Sequence, residues 1–248
     1  PGKGKVVLLL NFPNNPAGYA PKKSETADLA QAVRECAESG IDILAISDDA
    51  YYGLFYEDDT ETESSFTVFS DLHERVLAVK VDGSTKEDFV WGFRVAFITY
   101  GSKGMSPAAY EALGTKTVSS LRAAVSNSSR LAQSIMIHVM KSPSYHEEKS
   151  RKFAILKERY EKVKEILKTR KTGSALAEIP FNSGYFMSFL CRGISADALR
   201  RRLLDLGIGT IALQDRLLRV AYASIDVSGL EELYREIFAV ADEMAAGK

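Results

Sequence analysis

This sequence has no long apolar run. None of its hydrophobic stretches approaches the length of a membrane span, so no membrane partner is expected, and no signal peptide is read at its start. It has no excess of charge either. Its 32 Lys and Arg against 33 Asp and Glu leave a formal charge of −1, so no basic face announces nucleic acid and no acidic tail announces a basic partner. Cysteine is scarce: Cys36 and Cys191 stand far apart without a CxxC spacing, which fits a reducing, cytoplasmic setting and gives neither thiol a visible task. His73, His138 and His146 show no HExxH or similar spacing, so no metal is expected. Internal repeats and low-complexity segments are also lacking. So is an initiator Met. The chain opens Pro1-Gly2-Lys3-Gly4-Lys5 and enters an apolar strand at once, which reads like a cut made inside a longer protein.

What is present is an ordinary globular composition over 248 residues, enough for one or two domains with a large core. Lys5 to Asn11 reads as a fully buried strand, Lys22 to Ser39 as a helix ended by Gly40, and Ile41 to Ser47 as a second buried strand. Arg75 to Val81 and Phe93 to Tyr100 read as two more strands. Strand, helix, strand, loop, strand is an α/β pattern with a largely parallel sheet. After Ser106-Pro107, a cap followed by a first-turn proline, helices are expected over Ala108 to Val125, Asn127 to Lys141 and Tyr145 to Lys171. The last of these has a charged face to which no function is assigned. A smaller α+β unit is expected from about Gly173. It comprises strands over Gly184 to Leu190, Ile208 to Leu213 and Leu217 to Ala223, a helix over Ala196 to Leu206 ended by Gly207, and a final helix opened by a Ser228-Gly229-Leu230-Glu231 capping box. The domain reading is therefore 1–144, a connecting helix over 145–172, and 173–248.

Turn-forming clusters at residues 12–18, 48–52 and 82–88 each follow a strand. In parallel sheets ligands bind beyond the carboxyl ends of the strands, so these clusters are the places to look for chemistry. They supply Asn15, Asp48, Tyr51 and Lys86, with Arg94 eight positions after the lysine and Arg219 in a late strand. A lone lysine among small residues, followed by an arginine, suits a cofactor carrying an aldehyde and a phosphate. Each residue alone has an ordinary explanation as a turn, cap, rim or surface residue; the set in this order is harder to explain so. Trp91 reads as a packing residue.

In order and spacing these residues resemble the fold-type I pyridoxal-phosphate enzymes, specifically the class I/II aminotransferases, over essentially the whole chain from Asn11 to the last helix. The resemblance implies the latter part of such an enzyme: part of the sheet of its large domain followed by a smaller α+β C-terminal domain. It implies pyridoxal 5'-phosphate as cofactor, an amino acid and a 2-oxo acid as substrates, a place in amino-acid metabolism, and a homodimer for the full-length enzyme. Residue by residue, Lys86 matches the lysine that forms the internal aldimine and then moves a proton. Asp48 matches the aspartate on the pyridine nitrogen. Asn15, in Asn15-Pro16-Ala17-Gly18, and Tyr51 match the two groups on the ring 3'-oxygen, and Arg94 matches the phosphate arginine. Arg219, in Leu217-Leu218-Arg219-Val220-Ala221, resembles the arginine that clamps the substrate carboxylate, and Asn15 is placed with it on the substrate side.

Two departures stand out. The family commonly has a serine three positions before the lysine, where this chain has Gly83, so the phosphate contact is expected to shift to Ser84 or to a backbone N–H. The family's main phosphate loop and the aromatic that stacks on the ring would lie upstream of Pro1, so weak cofactor binding and little or no activity are expected of the chain by itself. A β-lyase on the same scaffold and an aminotransferase-like effector domain of a transcription regulator are the alternatives. Asn182-Ser183-Gly184-Tyr185-Phe186 resembles a substrate-side strand of the family whose contacts the sequence does not assign.

Overall fold

The computed structural model describes residues 4–169 and 175–247. The first three residues, the end expected for the long helix at Lys171 and the boundary expected near Gly173 lie outside them. Two compact units emerge. Unit 1 gathers Pro1–Pro13, Pro21–Gly53 and Asp58–His146; unit 2 gathers Asn14–Ala20, Leu54–Glu57 and Glu147–Lys248.

Unit 1 is built on strands β1 (Lys5–Asn11), β2 (Asp42–Asp48), β3 (Val76–Asp82) and β4 (Phe97–Gly101), in the order β1-β2-β3-β4. The first three are parallel and β4 runs antiparallel to β3. Alternation along β2 buries Ile43, Ala45 and Ser47. Helix α1 (Lys23–Glu38) meets this sheet through Ala30, Val33 and Ala37, and the short helix α2 (Ser65–Phe69) adds Phe69 to the same core. Fully burying a side chain such as that of Phe69 contributes roughly 1.5–3 kcal/mol. The parallel register brings Asn11, Asp48 and Val81 level with one another, so three strands end along one edge.

Several sequence expectations need correcting here. β1 is not fully buried: Leu8 and Leu10 pack toward the core, but Val6, Val7 and Leu9 are exposed. Among the described residues it pairs on one side only, and an apolar run by itself does not reveal whether both faces are covered. The expected Phe93–Tyr100 strand begins only at Phe97. Before it, Val90, Phe93 and Val95 pack on Ala132 and Met136 of helix α5 (Arg130–Met140), while Arg94 takes a left-handed φ of 55°. Two inward anchors on either side turn Arg94 outward in a conformation non-glycine residues seldom adopt. Between β3 and β4 lies a single helical turn, α3 (Ser84–Glu87), so Lys86 sits on helical backbone rather than in an open turn. Trp91 is exposed, not packed. Helix α4 (Pro107–Ala124) starts as expected, with the Ser106 hydroxyl accepting from the Ala109 N–H and Pro107 in the first turn, and it has no buried residue.

Unit 2 carries an antiparallel sheet, β5 (Leu176–Glu178), β6 (Met187–Cys191), β7 (Ile211–Leu213) and β8 (Leu217–Val220), in the order β5-β6-β8-β7. Helices α6 (Tyr145–Thr169), α7 (Ala196–Asp205) and α8 (Val227–Ala245) complete it. Leu199 and Leu203 of α7 are fully buried, as are Leu230, Tyr234 and Ile237 of α8 and Met187 and Phe189 of β6. Gly207, with φ 80°, follows the end of α7 as expected of a residue after a C-cap. The predicted Ser228 capping box does not form. A 3-10 turn over Tyr222–Ser224 delivers the chain to an extended Asp226, so α8 starts at Val227 and Ser228 falls inside its first turn.

Candidate active site

Unit 1 places Asp48 at the end of a parallel strand and Tyr51, Ser84 and Lys86 just beyond strand ends. Asp48 closes β2; its carbonyl accepts from the Asn11 side-chain amide at 3.2 Å, and its carboxylate accepts from the Ala50 N–H at 3.2 Å. Tyr51 follows in the next turn and is buried. The Lys86 ammonium nitrogen lies 4.9 Å from the centre of the Tyr51 ring. Those two residues are thus brought together. Arg94 is exposed in its loop, where its Nη1 donates to the Trp91 carbonyl at 3.4 Å.

The Gly83 departure has a steric cause. A Cβ at Gly83 would meet the Val95 carbonyl oxygen at 2.5 Å and the Ala96 Cα at 2.9 Å, because the chain leading into β4 passes directly over it. No serine fits there without moving backbone. The next residue carries the hydroxyl instead. Ser84 is 2% exposed and its Oγ has no hydrogen-bond partner among the described residues. Leaving such a group unsatisfied costs about 1–3 kcal/mol, and an acceptor such as a phosphate oxygen would relieve it. The ends of two neighbouring strands thus offer a carboxylate and a phenol after β2 and a hydroxyl and an amine after β3, groups that suit a cofactor with an aldehyde, a ring nitrogen and a phosphate.

Beside them is a charged cluster that the sequence reading passed over. Lys80 on β3 bonds Asp82 at 2.7 Å, approaches Asp49 at 3.8 Å, and lies 4.9 Å from the Tyr52 ring centre. Asp49 is 4% exposed. Burial pushes its carboxyl above the usual aspartate value, against the opposing pull of a Ser64 hydrogen bond and the Lys80 charge. For Lys80 burial works against the cation, but the hydrogen bond and charge of Asp82, with Asp49 behind it, outweigh that and raise its value. A lysine inside an otherwise apolar strand was the available signal.

Unit 2 holds the other two candidates, and they touch. The Arg219 Nη1 donates to the Asn15 Oδ1 at 2.7 Å, although 204 positions separate them. Phe186 completes the group, with the Arg219 guanidinium carbon 4.2 Å from its ring centre. Guanidinium only donates, so Asn15 must turn its carbonyl oxygen toward Arg219, which orients its amide NH₂ the other way as a donor. Phe186 lies in the strand approach whose contacts the sequence left unassigned. Gly18 closes this turn with φ 75°, and a Cβ there would strike the Phe186 carbonyl oxygen.

Among the described residues no helix is long and apolar enough to cross a membrane. None of the curated proteins compared matches this sequence. Solved structures do. An aminotransferase from Anaerococcus prevotii superposes with a TM-score of 0.80 at 24% identity, covering 95% of this chain and 56% of that one. The alpha-aminoadipate aminotransferase of Thermus thermophilus, solved with N-(5'-phosphopyridoxyl)-L-leucine, gives 0.73 at 22% identity, covering 94% and 58%. A multiple substrate aminotransferase from Thermococcus profundus gives 0.74 at 16% identity, covering 97% and 56%. The chain thus spans a little over half the length of these proteins, and at such identities the likeness shows the fold: mixed α/β, of the fold-type I pyridoxal-phosphate kind. The family described as aminotransferase class I and II matches residues 1–237, and to that family this chain belongs.

Proposed function

We propose that the protein moves an amino group between an amino acid and a 2-oxo acid with pyridoxal 5'-phosphate, and that Lys86 is its cofactor lysine. The observation that carries this reading is the Lys86 amine set over the buried Tyr51 ring where the parallel strands of an aminotransferase fold end. Bound there, the cofactor would supply an electron-accepting ring that makes the substrate Cα–H acidic.

The chain's residues then have distinct tasks. Lys86 takes the proton from the substrate Cα, which requires a neutral amine. With the cofactor bound, Asp48 would accept from the ring nitrogen and favour its protonated form, and Tyr51 and Asn15 would donate to the ring oxygen. Ser84 and Arg94 would hold the phosphate, Arg94 with the planar fork that suits phosphate. Arg219 grips the substrate carboxylate, with Asn15 and Phe186 holding its guanidinium in place. A fixed carboxylate orients the Cα–H bond and lowers the entropic cost of reaction.

Loss of the Lys86 amine tests the proposal. With excess pyridoxal 5'-phosphate and a panel of amino acids, the slow 2-oxo-acid formation expected of the parent chain should fall at least about a hundredfold, to background, in Lys86→Ala. Undiminished formation by the variant would refute the assignment.

A further inference from the structure

The Asn15–Arg219 pair joins a turn to a strand, and three other side chains decide where that turn lies. In the β6–β8 register Ser188 stands directly across from Arg219, so the two share a face of the unit 2 sheet. Phe186, two residues before Ser188, follows the same alternation and lies against the guanidinium. Ser188 is fully buried and its hydroxyl donates to the Pro16 carbonyl at 2.8 Å. Neighbouring residues of the turn, Asn15 and Pro16, are therefore held by two cross-strand neighbours of the sheet.

The far end of the turn is held by Asn182. Its side chain is 2% exposed and makes a two-way bond with one residue: Oδ1 accepts from the Ala20 N–H at 2.8 Å and Nδ2 donates to the Ala20 carbonyl at 2.8 Å. This reproduces the pairing that a neighbouring strand would offer. Between these points the Asn182 and Ser183 N–H groups both donate to the Gly18 carbonyl at 2.9 Å. The turn also closes on itself, with Ala17 N–H on the Asn14 carboxamide at 3.0 Å and Gly18 N–H on the Asn14 carbonyl at 2.8 Å.

We propose that Ser188 and Asn182 are positioning residues for the substrate carboxylate: by clamping Pro16 and Ala20 they fix Asn15, and through Asn15 they fix the Arg219 guanidinium. This rests on the reading of Arg219 as the carboxylate grip. The consequence is specific. Loosening the clamp frees a guanidinium that should otherwise meet a carboxylate in one geometry, so discrimination for the carboxylate is lost while the fold is kept.

Propionate and its neutral isostere propionamide separate these effects. Their dissociation constants are measured by titration of the chain, with circular dichroism confirming that each variant is folded. The parent is expected to prefer propionate by about tenfold, the scale of a charge-assisted paired contact. Arg219→Lys, the control for the underlying reading, is expected to lose most of that preference. Ser188→Ala, which removes one oxygen and leaves the backbone untouched, should cut the preference at least about threefold, and Asn182→Ala should cut it further. If Arg219→Lys loses the preference while folded Ser188→Ala and Asn182→Ala keep it, the clamp is merely structural and the proposal is wrong. If Arg219→Lys keeps it, the carboxylate reading itself fails and takes the clamp with it. Should Asn182→Ala not fold, Ser188→Ala decides alone.

Discussion

At the scale of single residues, close approach and burial decide most of what is distinctive here. Gly83 is glycine because the Val95 carbonyl lies where its side chain would be, and the hydroxyl expected there is carried one residue later by Ser84. Asp49 is the sharper case. Its neighbour Asp48 shares its chemistry, yet Asp49 is buried against Lys80 and Ser64, with Asp82 on the other side of the lysine. Burial raises its value, so the folded state holds its proton more firmly than the unfolded chain, whose aspartates sit near 3.8. Such a group adds stability below the unfolded value and loses that contribution as pH rises through the folded one. Asn cannot ionise. Asp49→Asn is therefore expected to match the parent's melting temperature at about pH 3 and to exceed it at about pH 8, with Lys80 still held by Asp82. Thermal melts at both values check this; a variant less stable at the higher value would show that Asp49 is ionised and supported by Lys80.

At the scale of elements, α8 shows how an amphipathic stripe can contain one misplaced polar atom. Leu230, Tyr234, Ile237 and Ala241 recur at helical spacing and are fully buried. The Tyr234 ring packs on Phe189 and Phe238, but its hydroxyl is buried without a partner among the described residues. Tyr234→Phe keeps the packing and removes the unsatisfied group, so it is expected to stabilise the protein by about 1 kcal/mol in denaturant unfolding. An equal loss instead would reveal a bond that the hydroxyl makes. Much at this scale could be read in advance. The presence of β2 as a strand and α1 as a helix and the glycines after α1 and α7 are all local, and local sequence signals report them. What escaped was set by distant neighbours. Val7 and Leu9 look like core in any window, yet no partner strand lies outside β1 among the described residues. Arg94 was expected at a strand head but is turned out by the packing of Phe93 and Val95 on α5. Within the candidate site, Lys86 and Tyr51 follow consecutive strands of one sheet and could be paired on paper. The contact of Arg219 with Asn15 depends on an antiparallel register and a clamped turn that no spacing in the sequence announces.

At the scale of the whole molecule, family membership is clear. Unit 1 carries Asp48, Tyr51, Ser84, Lys86 and Arg94, all proposed for the cofactor; unit 2 carries Asn15, proposed for both the cofactor ring and the substrate side, with Phe186 and Arg219, proposed for the substrate's carboxylate. The account stands on Lys86 being chemically different from the chain's other lysines. Reductive trapping reads this most directly, and it works even where the cofactor is held weakly. The chain is mixed with pyridoxal 5'-phosphate, reduced with borohydride, digested, and the pyridoxyl-modified lysines are ranked by mass spectrometry over a range of cofactor concentrations. The account predicts that Lys86 is modified first, at cofactor concentrations at least about tenfold below those needed elsewhere, and that Asp48→Ala and Ser84→Ala narrow this gap. Modification spread evenly over exposed lysines, with Lys86 no more reactive than they are, would contradict it.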